Sequence, residues 1–102
     1  MSQGSPASRS RYLAEWYQPA MPGARLEQTV ARIGQSAAEL SADGSAVHVL
    51  LTLFMPHDEV TFCLFAAESP ALVEQACRGA GMPVSRITRA ITIPEVTRQS
   101  LP

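Results

Sequence analysis

An α+β fold, with four antiparallel strands and two helices packed on one face of the sheet, is predicted by three observations. Residues 47–67, VHVLLTLFMPHDEVTFCLFAA, hold two apolar runs rich in β-branched and aromatic residues on either side of a polar turn. Two other segments, 24–40 and 70–80, carry apolar residues at steps of three and four, the helical period. Residues 11–18 and 86–93 return to period two, so one strand precedes the first helix and one follows the second.

Each element has its own signal. Residues 1–10 combine Ser, Gly and Pro with Arg and have little apolar surface to bury, so a flexible tail is expected there. The first strand, 11–18, sets Tyr12, Ala14 and Trp16 against Leu13, Glu15 and Tyr17, and Pro19, Pro22 and Gly23 end it in a loop. In the first helix Leu26, Val30, Ile33, Ala37 and Leu40 form the stripe expected to face a core. Gly34 weakens that helix by roughly 1 kcal/mol relative to Ala and leaves room for a strand to approach. Ser41, Asp43 and Gly44 stop it. The chain then reverses around Pro56 to Glu59, where Pro fixes φ and Asp58 suits turn geometry.

The second helix starts with Ser69 as N-cap and Pro70 at the first helical position, where a missing N–H does no harm. Leu72, Val73, Ala76, Cys77 and Ala80 are its buried stripe; Gly81 closes it, and Pro83 prevents continuation. The last strand, 86–93, sets Ile87, Arg89, Ile91 and Ile93 against Arg86, Thr88, Ala90 and Thr92, and residues 94–102 are expected to be a polar tail. One domain over 11–93 results. Strand, helix, strand, strand, helix, strand with right-handed crossovers is the split βαβ, or ferredoxin-like, arrangement.

Neither hairpin strand alternates cleanly between apolar and polar. Simple alternation puts His48, Leu50, Thr52 and Phe54 on one face of the first strand and Val49, Leu51, Leu53 and Met55 on the other. The second strand sets Val60, Phe62, Leu64 and Ala66 against Thr61, Cys63 and Phe65. A sheet with one wet face reads apolar-in, polar-out, so both faces here require cover. The helices supply one cover, and the expected second is another copy of the chain in an isologous homodimer through the sheet face.

Composition narrows the function. Charged residues are 17% of the chain against a usual ~25%, which fits a buried interface. The net charge of −1 gives no electrostatic basis for nucleic acid or an anionic membrane as partner. All eight basic residues are Arg, scattered along the chain. The N-terminus lacks an apolar signal segment and no apolar run reaches the ~18–20 residues that span a bilayer, so a cytoplasmic location is expected. Cys63 and Cys77 lack metal-ligand spacing and read as reduced, buried thiols.

Residues 55–90, MPHDEVTFCLFAAESPALVEQACRGAGMPVSRITRA, together with RYLAEWY at 11–17, resemble a small bacterial family of unknown function that includes a nickel-binding protein. The likeness is carried by the Pro56-x-Asp58-Glu59 turn, the Phe62-Cys63-Leu64-Phe65 strand, the helix from Ser69 to Gly81, and Pro83 followed by Arg86-Ile87. It implies a ferredoxin-like fold, pairing into a dimeric α+β barrel, and a divalent metal such as nickel as a possible cofactor.

Four places could carry chemistry. Glu15 lies mid-strand among Leu13, Trp16 and Tyr17, where a carboxylate needs a partner or a wet cavity. It is either paired with Arg86 or Arg89 on the last strand, or it lines a pocket beside Tyr17 and works as a general base. His48 is either an edge histidine or a ligand-contacting group, and with Glu15 it is the catalytic candidate. Cys63, central in its strand, is the fourth ligand-binding candidate with Glu15, Tyr17 and His48, although an apolar strand raises its pKa. His57, Asp58 and Glu59 at the hairpin tip bring an imidazole and two carboxylates toward a metal. No phosphate loop, HExxH or GxSxG motif occurs. The resulting expectation is a homodimeric module that binds a small molecule or metal ion. The alternative is a cofactor-independent isomerase, cyclase or monooxygenase using the barrel cavity.

Overall fold

The computed structural model describes residues 9–18, 23–82 and 84–93. Residues 1–8, most of the expected N-terminal tail, and the expected C-terminal tail at 94–102 lie outside the described residues, as do Pro19, Pro22 and Pro83. The elements are β1 (Ser10–Tyr17), α1 (Gly23–Ala42), β2 (Val47–Met55), β3 (Val60–Ala67), α2 (Pro70–Gly79) and β4 (Arg86–Ala90). The strands form one sheet in the order β2-β3-β1-β4, with all three pairings antiparallel. This is the predicted ferredoxin-like arrangement.

The core lies between the helices and one face of the sheet. Tyr12, Ala14 and Trp16 of β1 meet Cys63, Phe65 and Ala67 of β3, Val47 of β2, and Ile33, Ala37, Val73, Ala76 and Cys77 of the helices. Fully burying a side chain such as Phe65 or Val73 contributes about 1.5–3 kcal/mol each. Ala14 and Ala76, both fully buried, are small enough to let helix and sheet approach.

Capping follows the sequence signals. Ser69 accepts the Leu72 N–H through its hydroxyl at 3.4 Å. Both helices end in the same motif: after α2, Met82 donates to the Cys77 carbonyl and Gly81 to that of Arg78, at 2.8 and 3.0 Å. After α1, Ser45 donates to Leu40 and Gly44 to Ser41, each at 3.0 Å. The motif needs a left-handed residue, and Gly44 and Gly81 supply it with φ of 93° and 76°. The Ser41 hydroxyl then donates to the Val47 carbonyl and accepts from the Val47 N–H, which ties the end of α1 to the start of β2.

Four expectations are corrected. The stripe of α1 includes Thr29 and Ser36, both buried, while Val30 is 42% exposed. The Thr29 hydroxyl donates to the Arg25 carbonyl at 3.1 Å, so a polar residue enters the packed face with its donor satisfied inside its own helix. Gly34 admits no strand, since a Cβ there would meet nothing within 4 Å; the close approach is at Gly79, where a Cβ would lie 2.5 Å from Ser36 Oγ on the facing helix. The last strand stops at Ala90, leaving Ile91 and Ile93 each 84% exposed. The fourth correction is in β2. Nine residues of β2 pair with eight of β3, and the register slips between Val49 and Leu51, a β-bulge at Leu50. Val49 therefore shares the helix-facing side with Thr52 and Phe54. His48 joins Leu51, Leu53 and Met55 on the other side instead of sharing a face with Thr52.

Candidate functional site

The sheet face away from the helices carries Tyr17, Leu51, Leu53 and Met55, four of the exposed large apolar side chains. Cross-strand register lays it out in four rows. The first runs His48, Ala66, Arg11, Ala90 from β2 to β4. The second is Leu51, Leu64, Leu13, Thr88, and the third is Leu53, Phe62, Glu15, Arg86. The fourth is Met55, Val60, Tyr17. With strands ~4.8 Å apart and ~3.3 Å per residue, the whole face spans about 500 Å², within which Ala66 and Val60 are buried. Tyr17 is 69% exposed, Leu51 51% and Leu53 49%, while Leu13, Phe62 and Leu64 are half-buried.

Three of the four ligand-binding candidates, Glu15, Tyr17 and His48, lie on this face. Glu15 stands opposite Arg86 in the register, whereas Arg89 pairs with Tyr12 and points to the helix side. No ion pair joins Glu15 to Arg86. The Arg86 Nε donates to Thr88 Oγ1 at 3.2 Å, and the described ion pair is Arg78–Glu74 on the surface of α2. Glu15 is thus a half-buried carboxylate beside Phe62, without a cationic partner among the described residues. His48 lies two rows away on edge strand β2, and also borders a shallow open groove of about 370 Å³ against Gly34, Ala37 and Ser41 of α1.

Cys63 is on the opposite face. It is fully buried in the core, pairs with Ala14 across the strands, and lies 3.4 Å from Thr52 Oγ1. Burial pushes its thiol up to about 11, partly offset by the Thr52 hydrogen bond. The Cys77 thiol is pushed up to about 12, first by burial and then by the neighbouring Cys63 and Glu74. Both are free thiols held protonated in an apolar core, and Cys63 does not converge with Glu15, Tyr17 and His48.

The hairpin tip does not gather its three side chains into a metal-holding group. His57, Asp58 and Glu59 are exposed, and among the described residues no three His, Cys, Asp or Glu side chains group as a metal-holding set. Consecutive side chains in a tight turn fan outward, and Glu59 adopts a left-handed φ of 52°. The other histidine cannot complete a set, since the seven steps along β2 from His48 to Met55 span about 23 Å. Among the described residues, no side-chain set is gathered to hold a divalent metal such as nickel.

One buried polar cluster went unnoticed in the sequence. Gln18, just after β1, accepts from the Trp16 indole N–H at 2.9 Å and from the Thr61 hydroxyl at 3.0 Å, while its backbone N–H donates to the Glu59 carbonyl at 2.7 Å. This closes the core beneath the fourth row and ties the hairpin turn to β1. The available signal was the Trp16 donor two residues before an amide, because a buried indole requires an acceptor.

No protein-family model and no curated protein matches the chain. Among solved structures it is similar to SCO4226 from Streptomyces coelicolor A3(2), known from its crystal structure. The two share 16% of residues over 82% of this chain and 99% of the other, with a TM-score of 0.67. At that identity the likeness is one of fold.

Proposed function

We propose that the chain is a homodimeric module that binds a small molecule between its two open sheet faces. One observation carries the reading: both faces of a single sheet are apolar, and only one is covered by the chain's own helices. Leu51, Leu53, Met55 and Tyr17 would gain from burial at roughly 25 cal/mol per Å², and a second copy covers them by a two-fold contact. Glu15, without an ion-pair partner and set among Phe62, Leu13 and Tyr17, is the polar group that a ligand in such a cavity would meet, as ligand pockets are apolar with few polar groups. The same carboxylate keeps the enzyme alternative in view, with Glu15 as base. The small-molecule reading is preferred to the nickel reading, because no residues of the tip or the face gather as a metal set.

The decisive measurement is the mass in solution. Sedimentation at micromolar concentration should give twice the chain mass of 11.0 kDa, and Leu53→Asp should give a folded monomer. A monomeric wild-type protein across that range would end the dimer reading.

A further inference from the structure

The open face is not uniformly apolar, because its first row is basic. Arg11 lies in that row between Ala66 and Ala90, and Arg9 precedes it by two residues at the entry to β1. The two are tied together, with Arg11 Nη1 donating to the Arg9 carbonyl at 2.9 Å. Arg9 is part-buried, and two of its donors, Nε and Nη1, are buried without a hydrogen-bond acceptor among the described residues. Glu68, which follows Ala67 just beyond the last strand pair, forms no ion pair with it.

A part-buried guanidinium differs from a lysine or histidine in the same position in that it cannot lose its proton to relieve the cost of desolvation. Its two buried donors are met only by an acceptor, and native structures rarely leave such donors unanswered. Next to this basic end lies the second row, with Leu13, Leu64 and Leu51. One side of the site therefore calls for an anion and the adjoining side for an apolar body.

We propose that Arg9 and Arg11 receive the carboxylate of a small amphiphilic acid whose apolar part lies along Leu13, Leu64 and Leu51. This deepens the small-molecule reading above and rests on the open face being the ligand surface. A monoanion with an apolar chain suits the surface better than a bare inorganic anion, since only the former uses both rows. Charge-assisted hydrogen bonds to the carboxylate fix its head, and the leucines add non-directional affinity.

The test uses the full chain and three probes: sodium octanoate, 1-octanol and inorganic phosphate, each titrated by amide chemical shifts. Octanoate should saturate and move the amides of Arg11, Leu13 and Leu64, binding roughly tenfold or more tighter than octanol. Arg9→Gln with Arg11→Gln should remove that preference while leaving octanol binding as it was. Equal binding of octanoate and octanol by the wild type would overturn the proposal without any variant being needed, and so would phosphate binding as tightly as octanoate, which would mean a site for bare anions. Sedimentation of the same samples separates the two readings. Octanoate preferred by a monomer ends the dimer but keeps the anion site, whereas a dimer with no octanoate preference ends the anion site alone.

Discussion

Trp16 and Tyr17 are neighbours in β1 and similar in size, yet Trp16 is buried and Tyr17 is 69% exposed. Phe65 and Phe62 in β3 divide the same way, one fully buried and the other half-buried. The two sides of one sheet thus have comparable side chains and different neighbours. On the helix side Tyr12, Trp16 and Phe65 belong to one buried cluster with Ile33, Ala37, Val73 and Ala76 of the helices and contribute to the stability of the single chain. On the other side the same chemistry is held out toward solvent, where its burial depends on something arriving. Hydrophobicity alone does not distinguish a core from a binding surface; cover does.

The sharpest way to break that comparison is a matched pair of truncations. Phe65→Ala should cost about 3–5 kcal/mol, as for large aromatic residues removed from a close-packed core. Phe62→Ala should cost clearly less in chemical denaturation of dilute protein, and its effect should grow with protein concentration if a second copy covers it. Equal, concentration-independent losses would mean that both faces are core. The next effect is polar. Gln18→Ala leaves the Trp16 N–H and the Thr61 hydroxyl without their acceptor, and should cost about 1–3 kcal/mol, read from the urea midpoint and from a shift in Trp16 fluorescence.

The smallest effect separates the faces by chemistry instead of packing. Both thiols on the helix side have folded values above the ordinary 9.0. Above that pH the unfolded chain loses thiol protons that the folded chain keeps, so it binds fewer protons and stability falls as pH rises. The contribution is complete below pH 9 and is lost progressively as pH climbs toward about 11 to 12. Denaturation midpoints of the wild type should drop across that window more than those of a Cys63→Ala, Cys77→Ala variant, and native protein at neutral pH should resist iodoacetamide.

Much of the architecture was legible from residue chemistry acting over short distances. Ser69-Pro70 starts α2, Gly44 and Gly81 end the helices, and the alternation of β1 separates Trp16 from Tyr17 because strand side chains must alternate. The apolar excess on both faces of the hairpin was legible for the same reason, whereas the face that Glu15 and Tyr17 take was not, because a one-residue slip swaps the two sets of a strand. Packing against other elements decided the rest. Thr29 entered the stripe of α1 because its hydroxyl is satisfied within the helix, and Ser36 because it is small enough to meet Gly79 of α2, neither of which apolar periodicity registers. Cys63 fell to the core side because its strand pairs with Ala14, and His57, Asp58 and Glu59 diverge because a turn spreads successive side chains.

The bulge at Leu50 is where the two levels of determination meet. That 47–55 is one residue longer than 60–67 was visible in the sequence, as was the turn between them. Where the extra residue is absorbed depends on which of Val49, Thr52 and Phe54 can pack beneath the helices, and only the assembled core settles that. Because side chains alternate with a period of two, one unpaired residue moves His48 across the sheet and puts it in a row with Arg11. The sequence by itself determined the elements and the apolar character of both faces; the tertiary structure decided which polar groups share the open one.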